Sequence, residues 1–182
     1  MITIMSDLTS ALERLARDTV VLGAGCALFR AGDVVVDQYV VQSGCVHLVR
    51  FDAQGGVVVM QRATRGMVLA ESSLFAESYH CSAVAVADAV LLRVPRRDLR
   101  QAIDRDPDLM RAVALHLAHE VHRMRIRVEV LSKKTVRERF DAWLALGNGQ
   151  WPARGEMAAV ANDIGVSPEA FYRELQRRRR AG

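Results

Sequence analysis

Cysteine is scarce and scattered in this chain: Cys26, Cys45 and Cys81 are the 3 thiols in 182 residues, and no CxxC pair occurs. An odd, unclustered count argues against a disulfide framework and against a four-thiolate zinc or iron–sulfur site. Reduced thiols suit the cytosol. Long apolar runs are missing too, since no stretch approaches the ~18 residues that span a bilayer. The opening Met1-Ile2-Thr3-Ile4-Met5-Ser6-Asp7 has neither the basic start nor the sustained apolar stretch of a secretory signal. The expectation is a soluble, cytoplasmic protein. Enzyme signatures are equally absent: there is no GxGxxG, Walker loop or HExxH, and no Ser-His-Asp or Cys-His-Asn spacing, so the chain reads as a non-enzyme. His116, His119 and His122 recur on one helical stretch, but only neighbouring pairs share a face, and no metal site is assigned to them.

What is present is a core-forming composition, 51% hydrophobic and 25% charged, unlike that of a disordered chain. Net charge is only +4, yet Arg173, Arg177, Arg178, Arg179 and Arg180 crowd the end of the chain, a footprint suited to phosphate. Leu8, Leu12 and Leu15 predict an amphipathic helix over about residues 7–18, with Ser6 or Asp7 as its cap. From Val20 to Pro95 the texture is β. Valine-rich runs (Val20–Leu22, Ala27–Phe29, Val34–Val41, Val46–Phe51, Val57–Met60, Met67–Leu69, Val84–Val94) alternate with Gly32-Asp33, Ser43-Gly44, Gln54-Gly55-Gly56 and Arg65-Gly66. Such spacing predicts an all-β roll, barrel or sandwich, and the lack of βαβ alternation argues against a Rossmann-type enzyme.

Helix then takes over. A short one is expected over Arg97–Ile103, and Asp106-Pro107-Asp108 opens a long one with proline in its first turn. Met110, Ala114, Leu117, Val121, Met124, Val128 and Leu131 follow at alternating steps of four and three. That narrow stripe predicts a two-stranded seam between copies of the chain, the alternative being burial against its own β region. Ser132-Lys133-Lys134 breaks the pattern as a hinge, and Thr135-Val136-Arg137-Glu138 is a capping-box sequence opening a helix with Val136, Phe140 and Leu144 on one face. A turn-rich link, Gly147 to Pro152, leads to a helix over Glu156–Asn162, a turn at Ile164-Gly165-Val166, and a second helix from Ser167-Pro168 to about Arg179.

The residue types at that turn have physical reasons. Ala161 is small where a second helix crosses, Gly165 accepts positive φ, Ser167 caps, and Pro168 sits where a missing N–H costs nothing. The pattern predicts a helix-turn-helix that puts its second helix into a DNA major groove. Glu169 would accept from cytosine N4, Arg173 would donate twice to guanine, and Arg177 with its neighbours would lie near phosphates. The candidate DNA-binding set is Ser167, Glu169, Ala170, Tyr172, Arg173 and Arg177. The plainer reading of Glu169 and Arg173 is an i,i+4 surface pair.

Taken together, Phe29-Arg30-Ala31-Gly32-Asp33, Val41-Gln42-Ser43-Gly44, Gly66-Met67-Val68-Leu69-Ala70-Glu71, Asp106-Pro107-Asp108 and Ile164 to Arg173 resemble the cyclic-AMP receptor / fumarate-nitrate regulator (Crp/Fnr) superfamily over residues 8–179. The resemblance implies an α+β fold: a cyclic-nucleotide-binding-domain-like β-roll (a double-stranded β-helix) over 1–105, a dimerisation helix and hinge over 106–134, and a helix-turn-helix over 135–182. It also implies a homodimeric transcriptional regulator whose partners are double-stranded DNA, RNA polymerase and a small-molecule effector. The effector-pocket candidates are Glu71, Ser72, Ser73, His80, Cys81, Ser82, Met124 and Arg125. Departures from the family pattern argue against cyclic AMP as that effector. Cys81 stands where cyclic-AMP-binding members place the phosphate-binding arginine, and Met124-Arg125 stand where they place two hydroxyl residues against the purine. The cysteine cluster of the iron–sulfur sensors is absent as well. His80 beside Cys81 raises haem or thiol-redox sensing, against the plainer reading of a buried thiol. The chain ends at Arg180-Ala181-Gly182, short of the family's two-stranded wing. The alternative function is a dimeric sensor whose degenerate helix-turn-helix contacts a protein partner.

Overall fold

The computed structural model describes residues 2–52, 54–146, 149–153, 155 and 157–181, with side-chain detail from Leu8 to Arg180. Gly147, Asn148 and Glu156, which the sequence assigns to the link and to the start of a helix, lie outside the described residues, as do the side chains of Ser6 and Asp7. The chain divides into two compact units, Met1–Leu117 and Ala118–Gly182. Among the described residues no helix is long and apolar enough to cross a membrane.

The first unit is built on one antiparallel sheet of β1 (Asp18–Leu22), β2 (Ala27–Phe29), β3 (Asp37–Phe51), β4 (Val57–Thr64), β5 (Val68–Leu69) and β6 (Ser82–Pro95). Its main path runs β1-β6-β3-β4, with β2 on β6 and β5 on β3. The two valine runs expected as separate strands around Ser43-Gly44 are one strand, β3. The register against β6 slips near Ser43 and Cys45, and Gly44 takes φ +81°. Glycine there makes a bulge in a continuing strand rather than a turn. Val34 to Val36 precede the strand, with Val34 in an isolated bridge to Ser78.

Alternating side chains of β2–β6, with Tyr79 from the segment before β6, enclose a first cluster that includes Phe29, Tyr39, Val46, Leu69 and Leu91. A second cluster lies on the other side, where α1 (Ile2–Leu15), α2 (Arg96–Arg105) and the start of α3 (Pro107–Leu131) bring Leu12, Leu99, Leu109 and Val113 onto Val40, Val68 and Val94. Helix α1 starts and stops earlier than its leucine spacing suggested. Asp18 is already strand, opposite Arg93 and ion-paired with it, so tertiary pairing overrides the helical pattern. Helix α3 begins as expected: Asp106 Oδ1 accepts from the Asp108 and Leu109 amides at 2.9 and 3.1 Å, with Pro107 in the first turn.

Two stacked tyrosines make the roll sensitive to alkali. Tyr79 lies on Phe29, with ring centroids 3.6 Å apart, and its hydroxyl donates to the Asp37 carbonyl at 2.6 Å. Burial pushes Tyr39 up to about 12 and raises Tyr79 as well. The folded state therefore favours neutral phenols. The stabilisation is complete below the unfolded value of about 10 and is lost as pH rises through the folded values. The roll is expected to unfold between about pH 10 and 12, with tyrosinate absorbance and loss of circular dichroism rising together. In a Tyr172→Phe background, which removes the one tyrosine outside the roll, tyrosinate appearing without unfolding would contradict this.

The second unit holds α4 (Val136–Leu146), α5 (Met157–Asp163) and α6 (Pro168–Ala181). Thr135 and Glu138 form a reciprocal capping box, each side chain accepting from the other's amide at 3.1 and 3.0 Å. Phe140, Val160, Ala161, Ile164, Phe171 and Leu175 close the core with Val130 from the end of α3.

Candidate functional site

Glu71 opens a short 3₁₀ helix, Glu71–Phe75, directly after Ala70, which is held at φ +55°. A non-glycine residue in that region is strained by about 1–3 kcal/mol, so its surroundings must hold it. Two buried glutamines do. Gln38 Nε2 donates to the Leu69 and Ala70 carbonyls at 3.2 and 3.3 Å, and Gln61 Oε1 accepts from the Ala70 amide at 3.3 Å. Gln61 Nε2 also donates to the Val68 carbonyl and to Glu71 Oε2, both at 3.1 Å. Glu71 and Gln38 line a cavity of about 20 Å³ with Leu8, Leu12, Val113 and His116. Sequence reasoning did not single out Gln38 or Gln61, and it noted His116 only within a histidine spacing on the long helix; only the fold shows that two strand glutamines converge on one strained residue.

Of the other pocket candidates, Ser72 and Ser73 follow Glu71 on the same 3₁₀ helix. Ser73 is buried, while Ser72 and His80 are exposed. Ser82 Oγ accepts from the Ala31 amide at 3.0 Å. Cys81 packs on the first cluster, whereas the Glu71 cavity is walled by members of the second. Burial pushes the Cys81 thiol up, and Arg50 on β3 acts in the opposite sense. A raised thiol is the opposite of the activated thiolate that redox sensing needs. Met124 and Arg125 are exposed on α3, in the other unit.

Helix α3 carries its apolar stripe largely bare. Met110 is 42% exposed, Val121 50%, Met124 40% and Val128 68%. Ala114 is also exposed, and Leu117 and Leu131 are half-buried. His116 and Glu120, by contrast, are buried.

In the second unit α5 and α6 are joined by a tight turn. Gly165 takes φ +67°, and the Gly165 and Val166 amides donate to the Asn162 and Ala161 carbonyls at 3.1 and 2.9 Å, the two-bond closure of a helix ending on glycine. Ser167 Oγ accepts from the Ala170 amide at 3.2 Å and so caps α6. Phe171, Glu174 and Leu175 face the core, leaving Glu169, Tyr172, Arg173, Gln176, Arg177, Arg179 and Arg180 exposed. At helical spacing these seven form one stripe, with Arg179 at its edge. Gln176 was missed by sequence reasoning, although its place three residues after Arg173 was the available signal. The Glu169 carboxyl is held below its usual range by its own amide and by the Ser167 hydroxyl.

Arg178 departs from the expected phosphate-facing run. Its guanidinium pairs with Asp141 at 2.7 Å and Glu174 at 3.0 Å, donates to the Arg137 carbonyl at 3.1 Å, and lies 4.9 Å from the centre of the Phe140 ring. One residue's difference in helical phase turns it from the exposed stripe to the α4 side.

Residues 19–106 match the cyclic nucleotide-binding domain family. No curated protein matches the sequence. Among solved structures, the N-terminal domain of a transcriptional regulator from Streptomyces coelicolor A3(2) is 26% identical, with a TM-score of 0.53 over 65% of this chain and 85% of that one. The catabolite activator protein of Thermus thermophilus is 23% identical, with a TM-score of 0.57 over 95% and 85% of the two chains. FixK2 of Bradyrhizobium japonicum is 18% identical, with a TM-score of 0.69 over 88% and 83%. The last two likenesses are of fold.

Proposed function

We propose that this chain, which resembles the Crp/Fnr superfamily of transcriptional regulators, is a homodimeric, effector-controlled DNA-binding regulator. The observation that carries the reading is the exposed stripe on α6. Glu169, Tyr172, Arg173, Gln176 and Arg177 project from a capped helix whose opposite face is fixed in a core. In a major groove Arg173 would grip guanine O6 and N7, and Arg177 and Arg180 would reach phosphate. Each bidentate contact is worth about 1–3 kcal/mol. Arg173→Ala is therefore expected to cost a dimer about 2–6 kcal/mol on its specific duplex, measured by fluorescence anisotropy. Unchanged affinity would leave α6 without a reading role and favour a protein partner. RNA polymerase enters this reading through the resemblance alone.

Dimerisation through α3 is supported by the bare stripe, because isolated exposed residues are ordinary but a helical row of them is not. Val121→Asp with Val128→Asp is expected to convert the protein from dimer to monomer at micromolar concentration in sedimentation equilibrium. An unmodified protein that is already monomeric would contradict the proposal.

Cyclic AMP is not the proposed effector. A half-buried thiol at Cys81 offers no charge-assisted fork to a cyclic phosphate. Nor does a raised thiol favour redox sensing there. Control is proposed to run as a population shift, in which an occupied β-roll biases the α3 seam and the linker at Ser132–Lys134.

A further inference from the structure

Arg139, at the end of the first turn of α4, joins the linker before its own helix to a turn 25 and 26 residues further along the chain. Its Nε donates to the Lys133 carbonyl at 2.9 Å, in the linker between α3 and α4. Its Nη1 donates to the Ile164 and Gly165 carbonyls, at 3.2 Å each, in the turn between α5 and α6. A guanidinium is planar and its donors point in fixed directions, so one group bonded at both places fixes each relative to the other. The stem is anchored as well, because the capping box of Thr135 and Glu138 sets the start of α4 one turn earlier.

The turn is shaped to receive this group. A Cβ on Gly165 would lie 2.5 Å from Leu131 Cδ2 and 3.4 Å from Arg139 Nη1. Glycine therefore serves two ends at once: it permits the positive φ, and it lets the last residue of α3 and the guanidinium of α4 approach the turn. At the far end of α6, Arg178 binds Asp141 and the Arg137 carbonyl of α4. Helix α6 is thus tied to α4 at both ends, and the tie at its leading end passes through Arg139 to the linker.

We infer that Arg139 is a positioning residue for DNA recognition: it makes the conformation of the 132–135 linker and the placement of the turn that launches α6 a single mechanical state. The inference rests on α6 being the DNA-reading helix. A rearrangement of the linker that moves the Lys133 carbonyl pulls on the same guanidinium that holds the turn, so the turn cannot stay where it was. Without the three donors, linker and turn move independently.

The test is a double-variant cycle on the full chain, read by amide hydrogen exchange at Gly165 and Val166, which needs no DNA. Lys134→Gly loosens the linker, and Arg139→Met keeps the aliphatic stem while removing the donors. In the unmodified background Lys134→Gly is expected to speed exchange at these amides about five-fold; in the Arg139→Met background, where exchange is already fast, it should add less than about two-fold. Arg139→Lys, which carries one charge but no fork, should behave like Arg139→Met. Tryptophan-detected melting of the unit should shift little in Arg139→Met, while affinity for a selected duplex falls about ten-fold. Independent, multiplicative effects of the two substitutions overturn the inference, as does full coupling in Arg139→Lys. Failure of the unmodified chain to select any duplex overturns the DNA reading instead, and the exchange cycle then judges the linker–turn coupling alone.

Discussion

Phe140→Ala is expected to unfold the C-terminal unit at physiological temperature while leaving the β-roll folded. Phe140 is fully buried, and its ring meets Trp143 at 6.1 Å, Trp151 at 5.2 Å and Phe171 at 4.9 Å between centroids. Truncating such a phenylalanine costs about 3–5 kcal/mol through lost burial and the cavity left behind. The Arg178 guanidinium, 4.9 Å from the ring centre, loses its aromatic support as well. A unit of the size of Ala118–Gly182 has a total stability of about 3–10 kcal/mol, so one substitution removes much or all of it. The measurement is unusually clean, because both tryptophans of the chain, Trp143 and Trp151, lie in this unit. The emission of half-buried Trp143 should shift to the red in Phe140→Ala at 37 °C, with a smaller change from Trp151, already 54% exposed, while β-type circular dichroism persists. Emission and melting like those of the unmodified chain would contradict the packing described.

Gly44→Ala is expected to do comparable damage to the other unit, for a different reason. Gly44 sits at φ +81° within β3, where an added Cβ would lie 2.1 Å from the Asp88 carbonyl oxygen and 2.7 Å from Ala89 Cα. Both obstacles are backbone, so relief requires shifting β6 against β3. Strain of about 1–3 kcal/mol from the left-handed conformation adds to about 1–3 kcal/mol of overpacking, for roughly 4 kcal/mol in all. Gly66→Ala is the control: its φ is also +81°, but nothing lies within 4 Å of the added carbon. Only the conformational cost, about 1–3 kcal/mol, should appear there. Thermal melting by circular dichroism should place Gly44→Ala well below Gly66→Ala. Equal melting temperatures would mean that the close approach of β3 and β6 is wrong.

These two positions show what the sequence discloses and what it withholds. The β texture, the long helix opened by Asp106-Pro107 and the turn at Gly165 are local patterns, since alternation, capping and glycine chemistry act within a few residues. They were legible, and so was the stripe from Met110 to Leu131. The bulge at Gly44 was not, because Ser43-Gly44 between valine runs reads equally as a turn; only the pairing of β3 with β6 keeps the strand continuous. Helix α1 was displaced for a similar reason, as Asp18 is drawn into β1 by Arg93 on β6.

The candidate sites divide the same way. Glu169 and Arg173 could be placed on one face by counting, and the same count puts Arg178 off that face, but counting does not name what Arg178 meets. Its partners, Asp141 and Glu174, come from α4 and from one turn earlier on α6. The surroundings of Glu71 depend on Gln38 and Gln61, each on a different strand, and no sequence spacing brings those together. Cys81 was singled out by position, and its packing against the first cluster is a tertiary fact.

The most direct test of the central claim is selection of bound duplexes from a random DNA library by the full, reduced protein, at low and near-physiological salt. The expected result is an inverted repeat with half-sites about one helical turn apart, enriched at both salt concentrations and lost on Arg173→Ala. Recovery of no consensus, with binding that simply fades as salt rises, would mean that the arginines of α6 are only non-specific phosphate ligands, and would contradict the reading of α6 as a recognition helix.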